Sequence, residues 1–211
     1  ILSLFLILIG AIAISSSSID YAAKYFGNPW YYTLRHISYI IFSLGVGFCA
    51  YVIPTHIWRD TGILWLLAAT ALLIFVLIPG VGKEVNGSQR WLSLGFVSFQ
   101  PSEFTKFAMI TFLSGYLVRQ GEKISRDWLC FLKPILITLV FVVLLLMEPD
   151  FGAAVIIIGS DFTMLFLAGV RLIYFLCLAA LATSFLFMLA LSAPYRVQRL
   201  VAYIDPWSDP Y

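Results

Sequence analysis

The stretch FLKPILITLVFVVLLLMEPDFGAAVIIIGSDFTMLFLAGVRLIYFLCLAALATSFLFMLA, residues 131–190, decides what kind of molecule this is. It contains three long apolar runs, interrupted only at Glu148-Pro149-Asp150 and near Arg171. At a rise of ~1.5 Å per residue, a run of about 20 residues crosses a hydrocarbon core of ~30 Å. Lipid offers no partner to free backbone groups, so such runs must be helices. A membrane barrel would instead alternate apolar and polar residues over ~10 positions, a pattern the stretch lacks.

Working outward, the same signal recurs to the N-terminus. The expected spans cover residues 1–19, 36–53, 62–79, 101–118, 131–147, 151–170 and 172–193. The fold class expected is therefore all-α, a polytopic transmembrane helix bundle of about seven spans. It forms a single membrane domain over 1–211, with an outer loop at 80–100 between the third and fourth spans. Composition agrees: 62% of the 211 residues are apolar and 11% charged, where soluble domains carry roughly a quarter charged. A water-soluble globule, a disordered chain and a secreted disulfide scaffold are all excluded. A net charge of +2 is too balanced to point to a nucleic-acid partner. The sequence opens at Ile1 inside an apolar run and stops at Tyr211, so it reads as an excerpt, and no cleavable leader precedes Ser15.

Cys49, Cys130 and Cys177 have no metal-ligand spacing and read as small buried hydrophobes. His36 and His56 sit near span ends, form no cluster with each other and receive no role. With residue 1 on the inner side, the segment 80–100, the turn Glu148 to Asp150 and the stretch after Ala193 share the outer face. The basic residues do not settle that orientation by number. Arg59, Arg119, Lys123, Arg126, Lys133 and Arg171 would lie inside, against Lys24, Arg35, Lys83, Arg90, Lys106, Arg196 and Arg199 outside. Only the cluster from Arg119 to Lys133 favours it.

Chemistry-bearing residues gather in the two long connections and one tight turn. Gly87-Ser88-Gln89-Arg90-Trp91 leads to Gln100-Pro101-Ser102-Glu103-Phe104-Thr105-Lys106. Pro101 suits a first helical turn, and Glu103 lies near the positive end of that helix. Glu103 and Lys106, three apart, can pair on one face. A lysine one turn inside a span marks either a functional wet surface or a structural pair with a snorkelling stem. Arg90-Trp91 fits a binding site or an interfacial anchor equally. Asp150 can cap the following helix, or with Glu148 present two carboxylates beside Arg90 and Lys106. Two acids would repel a diphosphate unless a divalent cation, magnesium or manganese, bridged them. Asp161 falls mid-span, where a carboxylate costs ~2.5 to 3.5 kcal/mol on insertion scales, so it should face the bundle interior or keep its proton. Arg196 and Arg199 share a helical face and fit phosphate capture or headgroup anchoring.

These motifs, with Glu148-Pro149-Asp150-Phe151-Gly152, Leu165-Phe166-Leu167-Ala168-Gly169, Tyr195-Arg196-Val197-Gln198-Arg199 and Asp205-Pro206-Trp207-Ser208-Asp209, resemble the SEDS family of bacterial wall-synthesis proteins in the same order along the chain. The closing segments are more similar to its cell-division branch than to its rod-elongation branch. The resemblance implies about ten spans, of which this chain would supply the first seven. It implies a peptidoglycan glycosyltransferase that polymerises lipid II in septal wall synthesis, at the outer face of the bacterial cytoplasmic (inner) membrane. The implied partners are a class B penicillin-binding protein and other division proteins. The implied substrate contacts are Arg90, Gln100, Glu103, Lys106 and Asp150, with Arg196 and Arg199 as further candidates for the diphosphate. The family's catalytic aspartate would lie beyond Tyr211, so residues 1–211 alone are not expected to polymerise. A lipid II flippase and a division scaffold are the competing expectations. Ser98 and Asp161 are positions where agreement with the family pattern is not evident.

Overall fold

The computed structural model describes residues 2–85, 88–93 and 98–192. They fall into two units, Ile1–Thr55 and His56–Tyr211, each taken by itself below.

The first unit pairs α1 (Leu2–Phe26) with α2 (Tyr31–Val52). α1 runs on well beyond the expected residue 19, because Ser15 turns its hydroxyl back to the carbonyl of Ala11 at 2.7 Å and the helix carries its polar residues through. Gly27, at φ +65°, ends it with a conformation that a side chain would resist. Asn28 then accepts from the backbone N–H of Trp30 at 2.9 Å. Phe26 stacks on Tyr31 and meets Tyr32 edge-on, closing the hairpin with rings.

The second unit begins with α3 (Thr55–Leu77) and a three-stranded antiparallel sheet, β1 (Gly82–Val85), β2 (Ser88–Ser93) and β3 (Ser98–Phe99), in that order. The segment expected as an outer loop is therefore partly ordered by strand pairing, with Lys83 opposite Trp91 and Leu92 opposite Phe99. Helices α4 (Pro101–Gln120), the short α5 (Lys123–Arg126), α6 (Trp128–Met147), α7 (Phe151–Leu167) and α8 (Leu172–Leu191) follow.

Among the described residues, five helices, α1, α2, α3, α6 and α8, are long and apolar enough to cross a membrane. They carry apolar side chains on their exposed surfaces, Leu64, Leu139 and Leu181 among them. That is the arrangement lipid stabilises and water does not. α4 is the opposite case. It is rich in polar residues, yet Ser102, Thr105, Ala108, Met109, Leu113 and Tyr116 are buried, because α3, α6 and α7 surround it with protein. Its threonine hydroxyls are satisfied within the helix: Thr105 donates to Pro101 and Thr111 to Phe107, both at 2.9 Å. α7, at 17 residues, is short for a span and is likewise packed between α4 and α6.

Two contacts show how the helices close on α4. Gly62 of α3 lies over the backbone of Phe112, where a Cβ would stand 3.0 Å from its Cα. Gly115 of α4 faces the carbonyl of Arg59, where a Cβ would come within 2.8 Å. Small residues let the two backbones approach, the usual device for helix packing in a membrane. Pro134, inside α6, removes the N–H that would bond the carbonyl of Cys130. The hydroxyl of Tyr116 on α4 donates to that carbonyl at 2.8 Å, so the defect in one helix becomes a bond to its neighbour.

The cysteines divide. Cys130 is buried as expected, but Cys49 and Cys177 are exposed. The correction has a simple cause: on apolar helices a small sulfur side chain is equally at home facing lipid.

Candidate functional site

The site is built where four pieces of chain meet: β2, the start of α4, the turn after α6 and the start of α7. Asp150 is its hub. As the N-cap of α7 it accepts from the backbone N–H of Ala153 at 3.3 Å through Oδ1. Its Oδ2 accepts from Ser102 Oγ at 2.8 Å and from Gln100 Nε2 at 3.0 Å. Gln100 Nε2 also reaches Ser102 Oγ at 2.8 Å. Pro101 holds the first turn of α4 without needing a donor there, which leaves Ser102 free to reach across to α7.

Arg90 approaches the same turn from β2. Its Nε donates to the carbonyl of Glu148 at 3.2 Å and its Nη2 to the carbonyl of Pro149 at 2.6 Å. Nη1 stands 4.0 Å from Asp150 Oδ1. A planar guanidinium serves two carbonyls and a carboxylate from three separate nitrogens held in one rigid fork, a geometry the single nitrogen of a lysine does not reproduce. The strand, the turn and the two helix starts are thereby tied by one cation and one anion, both largely withdrawn from solvent. Residues 58 to 60 apart in sequence meet here.

Glu148 completes the group in a different way. Its side chain is 1% exposed and neither carboxyl oxygen has a hydrogen-bond partner. Burial, reinforced by the negative charge of Asp150 and opposed by Arg90, pushes its pKa up to about 8, so it holds its proton at neutral pH. Glu103 and Lys106 form an ion pair at 2.7 Å on α4, with Glu103 well exposed. Lys106 is thus engaged by Glu103, the pair that their spacing of three allows.

Of the residues singled out from sequence, Arg90, Gln100 and Asp150 are brought into direct contact, and Glu103 and Lys106 pair one turn further along α4. Arg196 and Arg199 lie outside the described residues. Ser98 lies on β3, exposed. Ser102 and Tyr116 were not given roles from sequence. A serine just after a helix-opening proline was the available signal for the first, and an interior proline in a neighbouring span for the second.

For a divalent cation, the described residues offer no group of three or more His, Cys, Asp or Glu side chains. Both oxygens of Asp150 already accept from protein donors, and Arg90 supplies the positive charge beside it. This cluster does not fit a metal.

A helix bundle that turns apolar side chains outward, wraps its most polar helix in protein and ties one end with a charged lock is a multi-pass integral membrane protein. The chain belongs to the FtsW, RodA and SpoVE family: the family model described as "Cell cycle protein" matches residues 1–211. It is 45% identical over 206 residues to a protein of Legionella pneumophila named probable peptidoglycan glycosyltransferase FtsW, covering 98% of this chain and 52% of that one. A protein of the same name from Coxiella burnetii is 40% identical over 211 residues, covering 100% of this chain and 57% of that one. The chain spans about half the length of the curated relatives it matches. Among solved structures, it is similar at TM-score 0.69 and 27% identity to a chain from a structure titled for coordination of polymerization and crosslinking by a peptidoglycan synthase complex. That likeness covers 98% of this chain and 60% of the other. The rod shape-determining protein RodA of Thermus thermophilus matches at TM-score 0.65 and 28% identity, covering 88% of this chain and 57% of that one.

Proposed function

We propose that a protein carrying this chain is a peptidoglycan glycosyltransferase, polymerising lipid II at the outer face of the cytoplasmic membrane during septal wall synthesis with a class B penicillin-binding protein. The names of relatives at 40–45% identity support the reaction class. The structural observation that carries the reading is the Arg90, Gln100, Ser102 and Asp150 lock, which unites three separated motifs into one polar end of the bundle.

Joining two lipid-linked sugars requires an acceptor hydroxyl to lose its proton and a lipid diphosphate to depart with its charge stabilised. The contribution of residues 1–211 is positional. Arg90 fixes the turn before α7, and Asp150 fixes the starts of α4 and α7 side by side, so that two positive helix ends face the same region. Lys106, one turn down α4, adds a cation whose exposure is governed by its bond to Glu103. Arg196 and Arg199 are further candidates for contact with the diphosphate.

The test is reconstitution of the full-length protein with its penicillin-binding partner in liposomes, with fluorescent lipid II supplied to one leaflet. Glycan growth and leaflet exchange are scored separately. Growth in the wild type, reduced at least tenfold in Arg90→Lys while the protein stays folded, is the expected result. Exchange without growth would instead establish the flippase reading.

A further inference from the structure

Arg90, Gln100, Ser102 and Asp150 all enter the charged lock through their side chains, whereas Glu148 enters it through its backbone carbonyl, which accepts from Arg90 Nε at 3.2 Å. Its carboxyl is left over. The residue is 1% exposed, and neither carboxyl oxygen has a partner among the described residues. A buried carboxylate without donors is far costlier than the neutral acid, so the arrangement seen is that of the protonated form.

The charged groups that act on this carboxyl are Asp150, at the start of α7, and Arg90, from β2. From α4 the cluster receives the neutral side chains of Gln100 and Ser102, while Glu103 and Lys106 are closed on each other one turn further on. Lys83 of β1 is exposed. Burial first, and the charge of Asp150 second, push the pKa of Glu148 up to about 8 against the pull of Arg90. Loss of the proton would set two carboxylates around one guanidinium. Two of the five N–H donors of that guanidinium now serve neutral carbonyls, those of Glu148 and Pro149. A carboxylate is the stronger partner, because it adds its charge to the bond and can accept two N–H groups in parallel. The carbonyl and the carboxyl of Glu148 belong to one residue, so a short swing of Arg90 exchanges the first for the second.

We infer that Glu148 is a positioning residue whose proton keeps the lock closed: neutral, it leaves Arg90 on the carbonyls of Glu148 and Pro149, and ionised, it draws the guanidinium off Pro149 onto its own carboxylate. The bond from β2 to the turn before α7 is then given up, and the charge beside Asp150 is shared with a second acid. The device belongs to the lock and holds whatever reaction the lock serves.

The experiment uses the full-length protein in liposomes, with heavy nitrogen in the arginine side chains and heavy carbon in the proline carbonyls or, in a second sample, in the glutamate carboxyls. Solid-state NMR reads the through-space contacts between the two labels, assigned to Arg90 by their loss in Arg90→Lys. The Arg126 and Glu122 pair adds its own contact to the glutamate sample, which Arg126→Lys removes. The arginine-to-proline contact is expected to fall roughly tenfold between about pH 6 and about pH 9, with an arginine-to-glutamate contact rising in its place, since one pH unit past the midpoint leaves about a tenth of the molecules protonated. In Glu148→Gln and Glu148→Leu the proline contact should not change over that range, and the use of two variants keeps the test intact if one of them fails to fold. A proline contact that survives at the higher pH in the wild type overturns the inference, whether Glu148 has stayed neutral or has turned out to solvent. An equal loss in the Gln and Leu variants overturns it too, by placing the titrating group elsewhere. No activity is read, so the outcome is independent of the proposed reaction.

Discussion

The two acids of α7 stand eleven residues apart and live in opposite circumstances. Asp150, at the helix start, accepts from a backbone amide, a serine and a glutamine, and lies beside an arginine. Asp161, mid-helix, touches one threonine and keeps an oxygen without a partner. The difference teaches what each end of the bundle is for. Where the partners are complete, the acid is a fastener, and its removal should break local structure. Glu148, two residues before Asp150, shows that proximity alone does not confer partners: it is as deeply buried as its neighbour, yet its carboxyl oxygens bond to nothing.

The comparison can be broken most forcefully at Asp150. Asp150→Ala should destabilise by ~3 to 5 kcal/mol, because it strands Arg90 and removes the cap of α7. A thermal melt of the detergent-solubilised protein reads this directly, and an unchanged midpoint would show that the lock fastens nothing. Arg90→Lys keeps the charge but loses the two-carbonyl fork, for an expected loss of ~1.5 to 3 kcal/mol by the same melt. Tyr116→Phe should cost ~1 to 2 kcal/mol, by orphaning the Cys130 carbonyl that Pro134 left free. The control Pro134→Ala combined with it should recover part of that loss.

Glu148 sharpens the comparison through pH. Its folded pKa of about 8 lies above the ordinary 4.5, so between those values the folded state holds a proton that the unfolded chain has released. Its contribution is therefore fully present below about pH 4.5 and is lost as pH rises toward 8, with a slope of up to ~1.4 kcal/mol per pH unit. Glu148→Gln mimics the neutral form and should flatten the dependence of the melting midpoint between pH 5 and 8, with its largest advantage over wild type near pH 8. A dependence that persists in the variant would assign the titration elsewhere. The smallest effect is expected at Glu103→Gln: the pair with Lys106 is largely exposed on its acidic side and should contribute under ~1 kcal/mol to stability. Any larger effect of the same substitution on the proposed activity of the full-length protein would then report on Lys106 and its electrostatics rather than on folding.

The sequence by itself determined that this chain lies in a membrane, that it is helical, and roughly where its helices run. Apolar length is a local property, and lipid reads it locally. The motif residues Arg90, Gln100, Glu103, Lys106 and Asp150 were legible for the same reason, since charges are conspicuous in so apolar a chain. Only the tertiary structure decided that α4, the most polar of the long helices, lies at the centre of its unit. Whether a helix faces lipid or protein depends on its neighbours, which no window of sequence contains. It also decided that Ser102 and Gln100 share Asp150, that Tyr116 bonds the carbonyl freed by Pro134, and that one oxygen of Asp161 has no partner among the described residues. Hydrogen bonds across tens of residues are set by packing, and their completeness is visible only once the helices have met.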